Sequence, residues 1–473
     1  MDVFDVTSLF KPNRSGFAFP LSPIAASISA LFSRDYSAGT LGANATFARS
    51  SSATIVDHEG VIRTVPSGAA RFNGLRYVRN MLLRTEQMYE NLVINGWIPY
   101  LASVTNQGNG VTRITASGAN ANLRFDHSTV VLTNGNTYVM SVDLKLVSGD
   151  PTVNLYISDV NDNALGSASI SLTVDWQRFT ISGLCGAGSA NKAVRFYIGG
   201  GSSISNATGD VIDARFPMLE NATGRADTTT PSEYVSVGVE SAPYHGANVD
   251  GVKYFATENG NSVDGSGVVT EGTGAAITGG YLLMEPAATN RSLWFSKINA
   301  TTYNQTTNVD FAENNGIAPD GTTAATRLTA IATGSSIYAV ETSTGSSAVY
   351  TYSAFVKRGN CDWVTTGLWS GGIDYIAWFN LASGVVGTQT NCTASIVAAG
   401  DGWYRVTLTT SNAMTLNLVS APVPRNADGV LSTTGGYYCF TWGISVESGT
   451  TATSPIPTSG SAVTRAAESL SYS

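Results

Sequence analysis

Short stretches of alternating apolar and polar residues run through most of the chain. Clear examples are VRFYIG (194–199), TYVMSVDLKL (137–146) and WYRVTLTT (403–410). Successive side chains of a β-strand point to opposite faces, so this alternation predicts strands with one buried face. The segments between them are rich in Gly, Asn, Asp and Ser, which is typical of turns. The best helical candidate is short, SPIAASISALF at 22–32, with Ser22 as its N-cap.

The strand pattern occurs twice in the same order. Asn80 and Asn290 align, and a series of later positions follows them through each copy: Tyr138, Ser141, Lys145, Trp176, Arg178 and Glu220 over Tyr350, Ser353, Lys357, Trp403, Arg405 and Glu447. Several matches in one order indicate an internal duplication. We therefore predict an all-β chain made of two tandem antiparallel jelly-roll β-sandwiches after an extended or partly helical arm. The arm spans 1–45, the first connector and jelly-roll 46–240, and the second connector and jelly-roll 241–473.

Composition narrows the class of protein. Hydrophobic residues make up 43% of the chain and aromatic residues 10%, which argues against disorder. Charged residues are only 13%, and 26 basic against 34 acidic residues give a net charge of −8. With no basic patch, we expect no nucleic-acid partner. No apolar run reaches the ~20 residues that a membrane-spanning helix needs, so we expect no membrane insertion. The four cysteines do not form a disulfide framework, and buried thiols are expected.

A set of spaced motifs adds to this picture. The residues that carry it are Arg49, Ser51, Ala53, Thr54, Asp57 and Gly60, then Leu282, Leu283, Glu285, Thr289 and Asn290, then Ala318 to Gly321, Gly402 to Arg405, Trp442, Gly443, Glu447, Pro457, Gly460, Thr464, Arg465 and Ala466. This pattern resembles a family of bacteriophage virion proteins, tail-associated in particular. The second unit fits it over nearly its whole length, and the first unit fits it in part. The resemblance implies jelly-roll domains akin to carbohydrate-binding modules, mounted on a virion.

The resemblance implies a function as well. We expect a non-enzymatic virion structural protein of the tail, of fibre, spike or receptor-binding type, that displays lectin-like domains toward the host surface. The alternatives are a capsid-surface decoration or head-fibre protein, and a polysaccharide-degrading tail spike. Three scattered histidines give little support to a catalytic triad, so we expect no enzyme. The protein would be made in the host cytoplasm and be located in the virion.

Two groups of residues are candidates for ligand binding. Trp369 and Tyr375 flank a Gly-Gly turn close to Asp374, and this set is a candidate glycan site if the rings are exposed; the alternative is that the rings pack in the core. Asp159, Asn161 and Asp162 supply oxygen donors suited to a structural Ca²⁺, although a plain hairpin turn explains them too. No other cofactor is expected.

The arm is dense in apolar side chains. Those expected to mediate assembly include Phe10, Phe17, Phe19, Leu31 and Phe32. A terminus this apolar would be sticky if exposed. We therefore expect it to dock against other virion proteins or sister copies of the chain. A homo-oligomer follows, with a trimer favoured because fibres and spikes of the family it resembles are commonly trimeric.

Overall fold

Five short strands in the first connector open the described fold. The computed structural model describes residues 36–41, 44–90, 96–198, 208–238, 247–258, 262–263, 269–270 and 274–472. The predicted helix at 22–32 and nearly all of the arm lie outside these residues. The strands are β1 (Ala45–Ala48), β2 (Ala53–Val56), β3 (Ile62–Val65), β4 (Phe72–Asn73) and β5 (Arg76–Arg79).

The first sandwich consists of two five-stranded antiparallel sheets. Its strands are β6 (Trp97–Tyr100), β7 (Ala102–Gly108), β8 (Val111–Ala116), β9 (Asn122–Val131), β10 (Thr137–Ser148), β11 (Thr152–Asp159), β12 (Ala164–Ser171), β13 (Gln177–Leu184), β14 (Ala193–Ile198) and β15 (Val211–Asn221). One sheet has the order β13-β10-β15-β8-β7 and the other β12-β11-β14-β9-β6. Alternating apolar residues from both sheets fill the core between them, among them Met140, Leu155 and Phe196.

The second connector supplies β16 (Val252–Phe255), β17 (Ser262–Val263), β18 (Val269–Thr270), β19 (Tyr281–Leu282) and β20 (Ala288–Asn290). The second sandwich follows with β21 (Gln305–Thr307), β22 (Val309–Ala312), β23 (Thr326–Ala330), β24 (Tyr338–Ala348), β25 (Tyr350–Arg358), β26 (Trp363–Ser370), β27 (Ile373–Asn380), β28 (Val385–Thr390), β29 (Cys392–Ala398), β30 (Trp403–Thr410), β31 (Met414–Ser420), β32 (Val423–Arg425) and β33 (Tyr438–Ser448). The chain closes with β34 (Val463–Arg465) and β35 (Ser469–Tyr472).

The second sandwich repeats the strand order of the first. Its sheets run β29-β30-β25-β33-β23-β22 and β28-β27-β26-β31-β24-β21, with β32 also paired to β26. Strand for strand they match the first pair, with β28, β29 and β32 added. The predicted all-β jelly-roll class is therefore confirmed. Helix within the described residues is limited to a 3₁₀ turn at Ala187–Ser189.

Hydrogen bonds confirm the duplication at the level of single atoms. The Asn80 amide donates to the carbonyls of Pro217 and Val235, and its Oδ1 accepts the N–H groups of Leu82 and Leu219. Asn290 makes the same four bonds in the second unit, to Ile444, Ile456, Ser292 and Val446. Each asparagine therefore joins the last strand of its sandwich to the segments before and after it.

The two connectors form a third hydrophobic core of their own instead of only linking the sandwiches. Strand β1 pairs with β35, β16 with β5, and β19 with β4. Phe47, Phe72 and Tyr254 are buried between these ribbons. Each Gly-rich connector holds too few apolar residues for a core of its own, but their pairing and the C-terminal strand together bury enough.

Candidate functional site

A row of four side chains crosses the outer face of one sheet in the second sandwich. Thr342 on β24 pairs with Leu418 on β31, Leu418 pairs with Trp369 on β26, and Trp369 pairs with Asp374 on β27. Paired residues of antiparallel strands share a face, so the four lie side by side. Trp369 and Leu418 are half-buried, whereas Thr342 and Asp374 are exposed. We call this set the Trp369 row.

A tight turn places Trp369 opposite Asp374. Gly371 and Gly372 both have positive φ, 58° and 82°, which favours glycine. This two-residue turn pairs Ser370 with Ile373. The next pair away from the turn is therefore Trp369 with Asp374. Among the described residues, the Asp374 carboxylate has no hydrogen-bond or ionic partner. An aromatic ring thus lies beside a carboxylate that can still accept hydrogen bonds.

The strand register set by this turn excludes one residue, Tyr375, from the predicted glycan site. Tyr375 pairs with Leu368, and both side chains point into the sandwich, where Tyr375 is only 5% exposed. The alternative of core packing therefore holds for Tyr375, and its ring offers no surface to a ligand. Alternation along the strand is the physical reason, since neighbours of outward-facing residues must face inward.

The rest of this outer face is covered by the chain itself. Trp378, also on β27, is buried, and its Nε1 donates to the carbonyl of Val430 in the loop between β32 and β33. The carboxylate of Asp428 in that loop accepts the N–H of Thr388. The loop closes the β28 side of the sheet and leaves the Trp369 row open.

The two carboxylates of the predicted calcium site, Asp159 and Asp162, bind cations and hydrogen-bond donors of the protein itself. Oδ1 of Asp159 accepts the N–H groups of Asn161 and Asn163, and Oδ2 lies 3.0 Å from Nζ of Lys192. Burial acts to raise the pKa of Asp159, but hydrogen bonds from Asn163, Lys192 and Asn161 outweigh it and hold that pKa well below its ordinary value. Asp162 pairs with Arg195 instead. Within the described residues, no group of His, Cys, Asp and Glu side chains could hold a metal ion.

Several motif residues meet in a buried ionic network. Glu468 lies 2.7 Å from Arg49 and 2.6 Å from Arg71, while Glu285 lies 2.9 Å from Arg71 and 2.6 Å from Arg465. The network joins the first connector, the start of the second unit and the C-terminal segment. Paired charges at this depth hold these segments in register, so these motif residues serve the fold.

The remaining predictions fall in different places. All four cysteines are buried with reduced thiols, as expected. The assembly residues Phe10, Phe17, Phe19, Leu31 and Phe32 lie outside the described residues. Across the part of the chain that is described, no helix combines the length and hydropathy that a membrane crossing requires.

Comparisons with known proteins give structural likeness only. No family model and no curated protein matches the chain. A CBM4 carbohydrate-binding module is 18% identical, with a TM-score of 0.25, and covers 29% of this chain and 97% of its own. The tandem CBM22 domains of Paenibacillus barcinonensis Xyn10C are 9% identical, with a TM-score of 0.25, and cover 79% of this chain and 98% of their own. TM-scores this low carry no argument about function, and the jelly-roll assignment rests on the strand order described above.

One matched structure corrects an expectation. A cyclase from Fischerella sp. TAU is 15% identical, with a TM-score of 0.25, and covers 31% of this chain and 98% of its own. The expectation that the chain is not an enzyme is therefore not kept, because structures named as cyclases stand among the matches beside the carbohydrate-binding modules. None of these similarities bears on a phage origin.

Proposed function

We propose that this chain is a tail-associated structural protein of a bacteriophage virion that binds a glycan of the host surface. The observation that carries the glycan part is the Trp369 row. A half-buried aromatic ring offers an apolar face on which a sugar ring can stack, and the Asp374 carboxylate beside it accepts hydrogen bonds from hydroxyl groups. A carboxylate repels acidic sugars, so the row suits a neutral glycan.

The virion part is supported by the sequence motifs of the second unit. The arm at 1–45 would attach the chain to other virion proteins or to sister copies, with a trimer as the favoured assembly. An array of sites on one particle would strengthen weak individual binding, because linked sites raise the effective concentration of one another.

A glycan array probed with the full chain tests the binding. We expect a neutral glycan to bind wild type and Trp369→Ala to lower the affinity at least tenfold, about 1.4 kcal/mol. Asp374→Asn should weaken binding as well, since it removes one acceptor. The matched control is Tyr338→Ala, which removes an exposed aromatic ring from β24 outside the row and should leave affinity unchanged.

Two results would count against the proposal. Binding by Trp369→Ala equal to that of wild type removes the proposed site. Absence of the chain from purified particles, checked by mass spectrometry, removes the virion assignment. A reconstruction of the particle then assigns the chain to tail, capsid surface or head fibre, and release of reducing sugar ends from a host polysaccharide would identify a degrading spike instead.

A further inference from the structure

The first sandwich carries a second aromatic row on its corresponding sheet. Arg124 on β9 pairs with Tyr197 on β14, Tyr197 pairs with Tyr156 on β11, and Tyr156 pairs with Ser167 on β12. By strand order these four strands correspond to the four that carry the Trp369 row. Arg124, Tyr197 and Tyr156 are half-buried, Ser167 is exposed, and all four side chains face away from the core. We call this set the Tyr156 row.

The two tyrosine rings are held rigidly. Their centroids lie 5.6 Å apart in an edge-to-face arrangement. The Tyr156 hydroxyl donates to the Asp162 carbonyl at 2.8 Å, and the Tyr197 hydroxyl donates to Oδ1 of Asp162 at 2.6 Å. The turn that contains Asp162 is fixed by the Asp159 carboxylate, which accepts the backbone N–H groups of Asn161 and Asn163. Rings fixed before binding lose little conformational entropy when a ligand stacks on them.

The two arginines on this face differ in their ion pairs. Arg195 lies 2.8 Å from Asp126 and 3.2 Å from Asp162, so one guanidinium serves both carboxylates. Arg124, on the same face, has no carboxylate within ion-pair distance among the described residues, and its buried Nε has no hydrogen-bond partner there. A guanidinium with unused donors binds a carboxylate through two parallel hydrogen bonds.

We propose that the Tyr156 row binds a carboxylated saccharide, whose acid group pairs with Arg124 while the sugar ring packs on Tyr156 and Tyr197. The site lies beyond the proposed function, which concerns the other sandwich and a neutral glycan. The contrast is one of charge. Aromatic side chains occupy both rows, but an arginine without an acidic partner flanks one and Asp374 flanks the other.

Calorimetric titration of the full chain with trigalacturonic acid tests the proposal. Its carboxyl-reduced form, a galactose trimer, is the matched probe. We expect the acid to bind wild type at least tenfold more tightly than the reduced trimer, and more weakly as salt rises, because screening weakens the ion pair. Arg124→Gln should abolish that preference, and Arg124→Lys should keep part of it, since lysine retains the charge but not the planar pair of donors.

The other sandwich supplies the control. Trp369→Ala should leave the binding of trigalacturonic acid unchanged, so failure of one site is distinguishable from failure of the other. Equal affinity of wild type for the acid and its reduced form overturns the proposal. Retention of the acid preference by Arg124→Gln overturns it as well, even if acidic sugar binds elsewhere on the chain.

Discussion

The two sandwiches share a scaffold but close one corner of their cores with different chemistry. Leu83 and Leu293 occupy equivalent places, three residues after Asn80 and Asn290. In the first sandwich the Leu83 carbonyl accepts a hydrogen bond of 2.7 Å from Nε1 of Trp97. In the second, the Leu293 N–H donates at 3.1 Å to Oε1 of Glu341. This backbone position thus contacts a tryptophan of β6 in one core and a carboxyl group of β24 in the other.

The side chains around Trp97 and around Glu341 differ in polarity as well. Trp97 packs edge-to-face against Phe125 and Phe196, so the first corner is apolar. Glu341 is 1% exposed, and its Oε2 has no hydrogen-bond partner among the described residues. Burial, and after it the charge of Glu341, raises the pKa of Tyr303. Duplicated folds can therefore keep backbone contacts while their interiors diverge in polarity, and the second sandwich should lose stability as Glu341 ionises.

The largest expected loss of stability comes from removing the asparagine that both sandwiches share. Asn80→Ala and Asn290→Ala each leave four buried backbone groups without a partner, so each should lower the free energy of unfolding by about 3–5 kcal/mol. Hydrogen exchange should show faster opening of β10 in the first variant and of β25 in the second. Asn106→Ala, at an exposed position of the edge strand β7, is the control and should change stability by less than about 1 kcal/mol. A small effect of either core variant would show that the two asparagines are not equivalent.

The next prediction tests the buried carboxyl group that distinguishes the second sandwich from the first. Burial raises the pKa of Glu341 to about 7 from the ordinary 4.5. The folded state therefore holds the proton more tightly than the unfolded state, and the stability this contributes is complete below pH 4.5 and is lost as pH rises toward 7. A shift of this size corresponds to about 3 kcal/mol.

Glu341→Gln removes the titration, so we expect it to be more stable than wild type at pH 8 and to lose that advantage near pH 4.5. Urea unfolding across this range measures the difference, with exchange of β24 assigning it to the second sandwich. Thr342→Ala, at the exposed neighbour of Glu341 on β24, removes no titratable group; it is the control and should leave the pH profile unchanged. A Glu341→Gln profile parallel to that of wild type would contradict the raised pKa.

Local patterns were the predictable part of the fold. Alternation, turn residues and the internal repeat identified the sandwiches, because strands and tight turns depend on neighbours in sequence. The third core was missed because its ribbons join Phe72 to Leu282 and Phe47 to Leu470, which are far apart along the chain. No local pattern records such pairings.

The candidate site divides in the same way. Trp369 and Asp374 belong to one hairpin and could be paired from sequence, whereas Thr342 and Leu418 enter the row only through sheet order. Tyr375 was misplaced although the two-residue Gly-Gly turn already fixes it on the opposite face from Asp374. Asp162 was assigned to calcium because composition shows an oxygen donor but not the arginine and tyrosine that approach from β14.

The smallest expected effect on stability belongs to the Trp369 row. Trp369 is half-buried on the outer face, whereas its neighbour Leu368 is fully buried in the core. Trp369→Ala should therefore lower the free energy of unfolding by less than about 1 kcal/mol, while Leu368→Ala should lower it by about 3 kcal/mol through the cavity it leaves. Chemical unfolding of both variants measures the two losses of unfolding free energy. If Trp369→Ala were as damaging as Leu368→Ala, the indole would be a packing residue, and the loss of glycan binding expected for that variant would no longer point to a contact with sugar.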